Sequence, residues 1–275
     1  MCGVTVGTLW AGDRLGTALL VGILAVAAVG AWEDIRGVRI GERLLLTSVA
    51  SALLFGAVAI QGTAFPLLIL GVITIPWTLA VVNAMNFMDG INGISAATTI
   101  VGGTAYALIG HFAGVDGLVV LGGTVAAASL GFAPFNVPRA RVFLGDVGSY
   151  GLGAAFAAMS LLALAEGVPI EAAVAPLALY LTDTGSTIIA RLRAGQSVVM
   201  PHKVHVYQRL VALGASHTRV SVGVGLLTGV CASLGAVSVA GDVPARILAN
   251  TLLAALLVAY LGSPRLLAAA RSRRT

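Results

Sequence analysis

Apolar runs of about 20 residues recur along the chain, and short polar segments separate them. A helix needs about 20 mostly apolar residues to cross a bilayer. The runs are continuous rather than alternating, which argues against a membrane β-barrel. The predicted spans are 15–32, 43–60, 64–82, 93–112, 117–135, 149–166, 169–190, 219–240 and 244–262. The pattern therefore predicts an all-α, polytopic transmembrane helix bundle of about nine spans.

Composition supports a membrane protein and excludes a soluble globular domain. The chain has 275 residues, of which 58% are hydrophobic and only 10% are charged. Soluble domains have about 45–50% apolar and about 25% charged residues, so this chain would expose large apolar patches in water. Lipid bilayer is the solvent that suits such a surface. Because no long polar region interrupts the pattern, residues 1–275 are interpreted as a single integral membrane domain.

Basic residues fall on one of the two alternating sets of loops. The first set is 33–42, 83–92, 136–148 and 191–218, together with the C-terminal tail. With its borders it holds 14 of the 16 basic residues, namely Arg36, Arg39, Arg43, Arg139, Arg141, Arg191, Arg193, Lys203, Arg209, Arg219, Arg265, Arg271, Arg273 and Arg274. Positive residues mark the cytoplasmic side. We therefore expect a plasma (inner) membrane protein whose first loop set and C-terminus are cytoplasmic, and we expect no nucleic-acid partner because the bases are not clustered with aromatic residues.

Acidic residues also gather at the predicted cytoplasmic ends of the spans. They are Glu33, Asp34, Asp89, Asp146 and Asp183, and His202 and His205 lie in the same set of loops. Each has an ordinary structural explanation when it is taken alone. Asp89-Gly90 is a common turn sequence, residues near Ser149 could cap a helix, and Asp183 could bond a neighbouring hydroxyl. Their occurrence together on one face is less easily explained by chance.

The chemistry of this set favours a divalent metal and an anionic substrate. Mg²⁺ prefers oxygen ligands and is usually held by one or two carboxylates plus substrate phosphates. Arginine and lysine neutralise further phosphate charge, and glycines let backbone N–H groups approach a ligand. We therefore expect Mg²⁺ as the cofactor, with Mn²⁺ as the alternative metal. An acid could also take the proton from an acceptor phosphate.

Three long motifs resemble one known family. They are NAMNFMDGINGIS, FNVPRARVFLGDVGSYGLG and TDTGSTIIARLRAGQSVVMPHKVHVYQRL. In this order they resemble the polyprenyl-phosphate N-acetylhexosamine-1-phosphate transferases, relatives of the phospho-N-acetylmuramoyl-pentapeptide transferase. The resemblance covers roughly residues 20–220. It implies transfer of HexNAc-1-phosphate from a UDP-N-acetylhexosamine to polyprenyl phosphate, with release of UMP, at the start of cell-envelope glycan synthesis; a homodimer is a further expectation.

The resemblance also implies roles for individual residues. Catalytic roles fall to Glu33, Asp34, Asp89 and Asp146, with Asp146 and Asp34 as the metal ligands and Glu33 as the proposed base. Substrate-binding roles fall to Asn86, Gly90, Asn92, Asn136, Phe143, Asp183, His202 and His205. Among these, Asn136 and Phe143 match residues that hold and stack on uracil, and the two histidines match a loop that helps to bind the phosphates or the sugar. Direct attack by the lipid phosphate and a covalent intermediate both remain open.

Three departures from the family pattern change these expectations. Glu33 stands where relatives usually carry Asp, and a misplacement of about 1 Å can cost about 10²-fold in rate, so Asp34 is an alternative base. Asn92 stands where many relatives have Asp, which predicts an altered contact with uracil. The family normally has about two more spans before the paired acids, so a truncated gene or a reduced homologue is expected here.

Two other functions compete with the transferase. A transporter would also have many spans, glycines and intramembrane acids, but its acids tend to lie near the bilayer midplane rather than at span ends. The third interpretation is a truncated, inactive homologue that only binds a lipid or a partner.

Overall fold

The protein folds into antiparallel helices joined by short loops. A computed structural model describes residues 14–60, 63, 66–196 and 205–272, and no β-strand occurs in these ranges. The helices are α1 (Arg14–Arg36), α2 (Ile40–Ile60), α3 (Leu67–Met88), α4 (Ile94–Ala113), α5 (Asp116–Asn136), α6 (Gly145–Ala165), α7 (Ile170–Val174), a 3₁₀ turn (Ala175–Leu177), α8 (Ala178–Arg193), α9 (Val206–Ala212), α10 (His217–Ala240) and α11 (Val243–Ser272). The all-α bundle predicted from the apolar runs is confirmed.

Eight of the nine predicted spans are helices that are long and apolar enough to cross a membrane, in the part of the chain that the structure describes. The short helix α7, the 3₁₀ turn and α8 together form one of them, Ile170–Arg193. The ninth predicted span, 93–112, also forms a helix, α4, but it falls outside this set. Its threonines, glycines and His111 lower its apolar content, and many of them are buried against neighbouring helices rather than facing lipid.

Several helices extend beyond the apolar runs that predict them. Helix α3 continues to Met88, so Asn86 lies in its last turn rather than in a loop. Helix α6 begins at Gly145, so Asp146 lies in its first turn. The loops predicted as 83–92 and 136–148 are therefore shorter than expected. The reason is that polar side chains at a span end reach headgroups and water while the backbone continues its helical hydrogen bonds.

Helix α6 forms the centre of the bundle. Nearly all of its residues from Ser149 to Ala165 are buried, and it packs against α1 and α3. Small residues allow this close packing, since transmembrane helices approach one another where side chains are small. A Cβ atom on Gly30 of α1 would overlap the carbonyl oxygen of Asp146. The contact of α1 with α6 thereby brings the acids at the end of α1 next to the start of α6.

The two predicted sets of loops lie at opposite ends of the bundle. At one end, Asn92 Nδ2 donates to the carbonyl oxygen of Pro138 at 3.2 Å, and the Asn92 backbone N–H donates to His217 Nδ1 at 3.4 Å. At the other end, the Arg246 guanidinium forms an ion pair with Glu171 at 2.7 Å. All predicted site residues that the structure describes lie at or near the first end.

Candidate active site

Asp34 closes the start of α6. Its carboxylate accepts hydrogen bonds from the backbone N–H groups of Asp146, at 3.0 Å, and Val147, at 2.9 Å. The first N–H groups of a helix have no partner within the helix, and a carboxylate there also interacts favourably with the helix dipole. Gly145 has a φ of +68°, and a Cβ at this position would lie 2.9 Å from Asp34 Oδ2. Asp34 thus sets the position of Asp146, while its role as a metal ligand stays a prediction.

Asp146 is held by the end of α3. Asn86 Nδ2 donates to Asp146 Oδ1 at 2.7 Å and to the Ser149 hydroxyl at 3.1 Å. The second carboxylate oxygen of Asp146 accepts no hydrogen bond from the described residues. Asp146 is half-buried and therefore presents one oxygen of a fixed carboxylate to a ligand. Asn86 is predicted to bind substrate, and in the structure its side chain positions Asp146, which is predicted to be catalytic.

Glu33 lies beside the same helix start but has different partners. Its carboxylate forms an ion pair with Arg43 at 3.2 Å and accepts a hydrogen bond from the Tyr150 hydroxyl at 3.3 Å. About a sixth of each charged side chain is exposed, 18% for Glu33 and 17% for Arg43. The pair is therefore largely withdrawn from water. Both partners orient the carboxylate.

Asp89 lies in the turn between α3 and α4, on the other side of Asn86. The Ser95 hydroxyl donates to Asp89 Oδ1 at 2.6 Å. Burial raises the pKa of Asp89, the hydrogen bond from Ser95 opposes this, and the negative charge of Asp146 raises the pKa further. The two predicted catalytic acids therefore lie near enough to interact, with Asn86 bonded to Asp146 three residues before Asp89. Next to Asp89, Gly90 lies against the ring of Tyr207, where a Cβ atom would overlap the hydroxyl.

Asn136 holds the loop that leads to α6 in place through two side-chain hydrogen bonds. Its side-chain oxygen accepts from the Gly93 N–H at 2.6 Å, and its Nδ2 donates to the Val142 carbonyl oxygen at 2.9 Å. The amide joins the α3–α4 turn to the α5–α6 loop, so its described contacts are with protein. Phe143, next to this anchor, is 77% exposed. The structure thus presents an exposed aromatic ring two residues before the start of α6, as stacking on a planar base requires.

Asp183 and His205 form a buried network behind the site. Asp183 is fully buried, and its carboxylate accepts from the Val206 N–H at 3.1 Å and from the Tyr260 hydroxyl at 2.7 Å. His205 Nδ1 lies 3.1 Å from Asp183 Oδ1, and its ring stacks on Tyr207 with the centroids 5.9 Å apart. Asp183 therefore holds the start of α9 in this conformation rather than facing a substrate. The other predicted histidine, His202, lies outside the described residues.

The carboxylates at the start of α6 could hold a magnesium ion only together with water and the phosphates of a substrate. No group of three or more His, Cys, Asp or Glu side chains in the described ranges could enclose a metal ion by itself. Mg²⁺ nevertheless commonly binds to one or two carboxylates and completes its shell with water and substrate phosphates. The uncommitted oxygen of Asp146, near Glu33 and Asp34, suits that arrangement. The cofactor prediction therefore depends on the donor substrate binding together with the metal.

Sequence reasoning missed four residues that the structure brings to this region. They are Arg43, Tyr150, Tyr207 and Tyr260. Arg43 could have been found, because opposite charges at the two ends of a short loop between antiparallel helices often pair. Tyr150 and Tyr207 each lie within one of the three motifs, although the motifs implied no role for either. Tyr260 had no such signal, since it lies in an apolar run more than 70 residues from its partner, Asp183.

Comparison with known proteins is consistent with this geometry. The sequence profile described as "Glycosyl transferase family 4" matches residues 17–164. The chain is 30% identical over 250 residues to a probable undecaprenyl-phosphate N-acetylglucosaminyl 1-phosphate transferase of Bacillus subtilis, covering 86% of this chain and 70% of that protein. It is 33% identical over 182 residues to the decaprenyl-phosphate N-acetylglucosaminephosphotransferase of Mycobacterium leprae, covering 58% of this chain.

A shorter match of 37% identity over 86 residues links the chain to the phospho-N-acetylmuramoyl-pentapeptide-transferase of Staphylococcus saprophyticus, over 31% of this chain and 27% of that one. The chain spans less than half of the Mycobacterium leprae relative, 46% of its length. The matched region of the family profile contains Glu33, Asp34, Asn86, Asp89 and Asp146. The residues that converge at the start of α6 therefore come from the part of the chain that the profile recognises.

Proposed function

We propose, from the premise that this chain belongs to glycosyl transferase family 4, that it transfers N-acetylhexosamine-1-phosphate from a UDP-sugar to a membrane polyprenyl phosphate. The names of the Bacillus and Mycobacterium relatives support the acceptor and an N-acetylglucosamine group. They make UDP-N-acetylglucosamine the first donor to test. UMP is the expected second product, and the glycolipid would start the synthesis of a cell-envelope glycan.

The observation that carries this proposal is the fixed carboxylate of Asp146. Asp34 and Asn86 hold Asp146 from two different helices, and one of its oxygens has no described partner. Such preorganisation suits phosphoryl transfer, where positioning and charge neutralisation supply most of the rate enhancement. A purely structural helix cap would not require a second acid, Asp89, within electrostatic range of the first.

The proposed reaction joins a lipid phosphate to the β-phosphorus of the donor. An oxygen of the polyprenyl phosphate attacks that phosphorus, the bond to the bridging oxygen of UMP breaks, and UMP leaves with the electron pair. Glu33 is the candidate base for the acceptor proton, and Arg43 and Tyr150 orient its carboxylate. Asp34 is a weaker candidate because both of its oxygens accept backbone hydrogen bonds. A bound Mg²⁺, held by Asp146 and the donor phosphates, would neutralise developing charge.

The remaining site residues would bind the donor. Phe143 would stack on the uracil from the exposed loop, while Asn92, Asn136 and Gly90 hold the adjoining turns in position through their contacts with Pro138, Gly93 and Tyr207. Of the two histidines that the resemblance assigns to the phosphates or the sugar, His205 would act from the buried network around Asp183, and His202 lies outside the described residues. The basic residues support a cytoplasmic orientation for this end of the bundle by the positive-inside rule, and the donor would reach the site from that side. The homodimer expected from the resemblance remains a prediction.

The test is a transfer assay with the purified chain. Radiolabelled UDP-N-acetylglucosamine and undecaprenyl phosphate are supplied with and without Mg²⁺, and the organic phase is analysed for labelled lipid. We expect a labelled diphospholipid and an equal amount of UMP, both dependent on the metal. Accumulation of unchanged donor inside proteoliposomes would instead support the transporter. Absence of both product and transport in a folded, inserted protein would support the inactive homologue.

A further inference from the structure

A groove runs between α10 and α11 on a side of the bundle that the proposed reaction does not use. It has a volume of about 410 Å³, within the size range of ligand sites. Its lining is almost entirely apolar and is contributed by α9, α10 and α11. The lining residues are Leu210, Ala215, Arg219, Val220, Gly223, Val224, Leu227, Leu256, Ala259, Tyr260 and Ser263.

The groove has the dimensions of a lipid chain. On α10 it extends from Arg219 to Leu227, a distance of about 12 Å at 1.5 Å per residue. That distance is most of one leaflet of the hydrocarbon core, which is about 15 Å deep. Gly223 leaves the middle of the groove open, since a Cβ atom there would meet nothing within 4 Å. An extended acyl chain would lie along this surface.

The charge at one end of the groove identifies the class of ligand. Arg219 lines the groove in the first turn of α10, at the same end of the bundle as Asp146. Arg271 lies against the loop that precedes α10, with its guanidinium 3.0 Å from the Cβ position of Gly214, the residue before Ala215 in the lining. Neither arginine forms a salt bridge with any described residue. A guanidinium group in the lining of an apolar groove, with a second one against the adjoining loop and no ion-pair partner for either among the described residues, matches an anionic headgroup next to an acyl chain.

We propose that this groove is a binding site for an anionic phospholipid of the inner leaflet. The headgroup phosphate would bind Arg219 and Arg271, and one acyl chain would fill the groove past Gly223 to Leu227. The lipid would cover apolar surface mainly on helix α11, because several large apolar side chains of this helix are exposed. Tyr260 connects the lining to Asp183, but phospholipid binding can be measured without donor or acceptor.

Native mass spectrometry of the purified full chain provides the test. The protein is equilibrated with equal concentrations of phosphatidylglycerol and phosphatidylcholine, and the lipids that remain bound are counted. We expect the wild type to retain one phosphatidylglycerol preferentially. Gly223→Leu fills the groove and should abolish that preference. Arg219→Gln should weaken phosphatidylglycerol binding about tenfold, as expected for the loss of one charge-assisted contact.

Two matched variants control for general effects of the substitutions. Gly262→Leu adds the same side chain to α11, where a Cβ atom would also meet nothing within 4 Å, outside the groove. Arg265→Gln removes an exposed positive charge from α11. Both should bind phosphatidylglycerol like the wild type. If Gly223→Leu is not monodisperse, Arg219→Gln decides the question by itself.

Three results would overturn the proposal. Equal retention of the two phospholipids by the wild type would show that the groove does not prefer an anionic headgroup to a zwitterionic one. Unchanged binding to Arg219→Gln would place the lipid elsewhere. Displacement of phosphatidylglycerol by a stoichiometric amount of polyprenyl phosphate would reassign the groove to the acceptor. None of these results depends on transferase activity, so the failure of this proposal is distinguishable from the failure of the proposed function.

Discussion

Asp34 and Asp146 are joined through the backbone: Asp34 Oδ1 accepts the N–H of Asp146 at 3.0 Å. One acid of the site thus caps the helix that carries the other. The contact locks the cytoplasmic end of α1 to the start of α6, the most buried helix of the bundle. It also leaves the side chain of Asp146 directed to Asn86, which donates to it at 2.7 Å.

Removing the Asp34 carboxylate that caps α6 should lower both the stability of the protein and its transferase activity. We expect Asp34→Ala to lower the free energy of unfolding by about 1 kcal/mol, the usual cost of a lost N-cap. Asp34→Asn should retain part of this stability, because the amide oxygen still accepts one of the two hydrogen bonds while the NH2 group cannot accept the other. Thermal unfolding of both variants in the same detergent provides the measurement. If Asp34→Ala unfolds at the wild-type temperature, the cap contributes nothing and Asp34 would act through its chemistry alone.

Asp146→Asn should remove activity without removing the fold. The amide oxygen still accepts the hydrogen bond from Asn86, whereas the negative charge that attracts a metal and orients phosphates is gone. We expect transfer to fall by at least about 10²-fold, with normal membrane insertion and an unchanged unfolding temperature. Asp116→Asn, an exposed acid at the opposite end of the bundle, is the matched control. Retention of full activity by Asp146→Asn would exclude Asp146 from the metal site.

Phe143→Ala should weaken binding of the nucleotide sugar specifically. Stacking of a base on an aromatic ring is worth about 1–3 kcal/mol, so the KM for the UDP-sugar should rise about tenfold while kcat changes little. Because Phe143 is 77% exposed, stability should be unaffected. Phe112, which is 74% exposed at the other end of the bundle, supplies the control variant Phe112→Ala. An unchanged KM in Phe143→Ala would argue against uracil stacking at this position.

Tyr260→Phe should loosen the network behind the site. The Tyr260 hydroxyl donates to the fully buried carboxylate of Asp183 at 2.7 Å, and a buried hydrogen bond to a charged group contributes about 2 kcal/mol. We expect a lower unfolding temperature together with a higher KM for the donor, since Asp183 also holds the start of α9. Tyr106→Phe, which removes a buried bond to the Ala173 carbonyl oxygen, should lower stability alone. Equal kinetics for the two variants would limit Tyr260 to a structural role.

The sequence did not predict where the helices end or which side chains form hydrogen bonds with each other. Apolar runs mark where lipid surrounds a helix, but Asn86 and Asp146 lie on helical turns beyond those runs. Motif matching grouped Asp34, Asn136 and Asp183 with the substrate or the metal. The structure shows the three side chains bonded to backbone N–H groups: those of Asp146 and Val147, Gly93, and Val206. Such bonds depend on which helices pack together, which no local pattern reveals.

The sequence by itself determined that the chain is a helical membrane protein, because the lengths of its apolar runs match the thickness of a bilayer. Its motifs also identified the family and most of the acids at one end. Only the tertiary structure decided that Asp34 caps α6, that Asn86 holds Asp146, and that Arg219 heads an apolar groove. The physical reason is that hydropathy and motifs are local properties, whereas the partner of a buried polar group is chosen by the packing of distant helices.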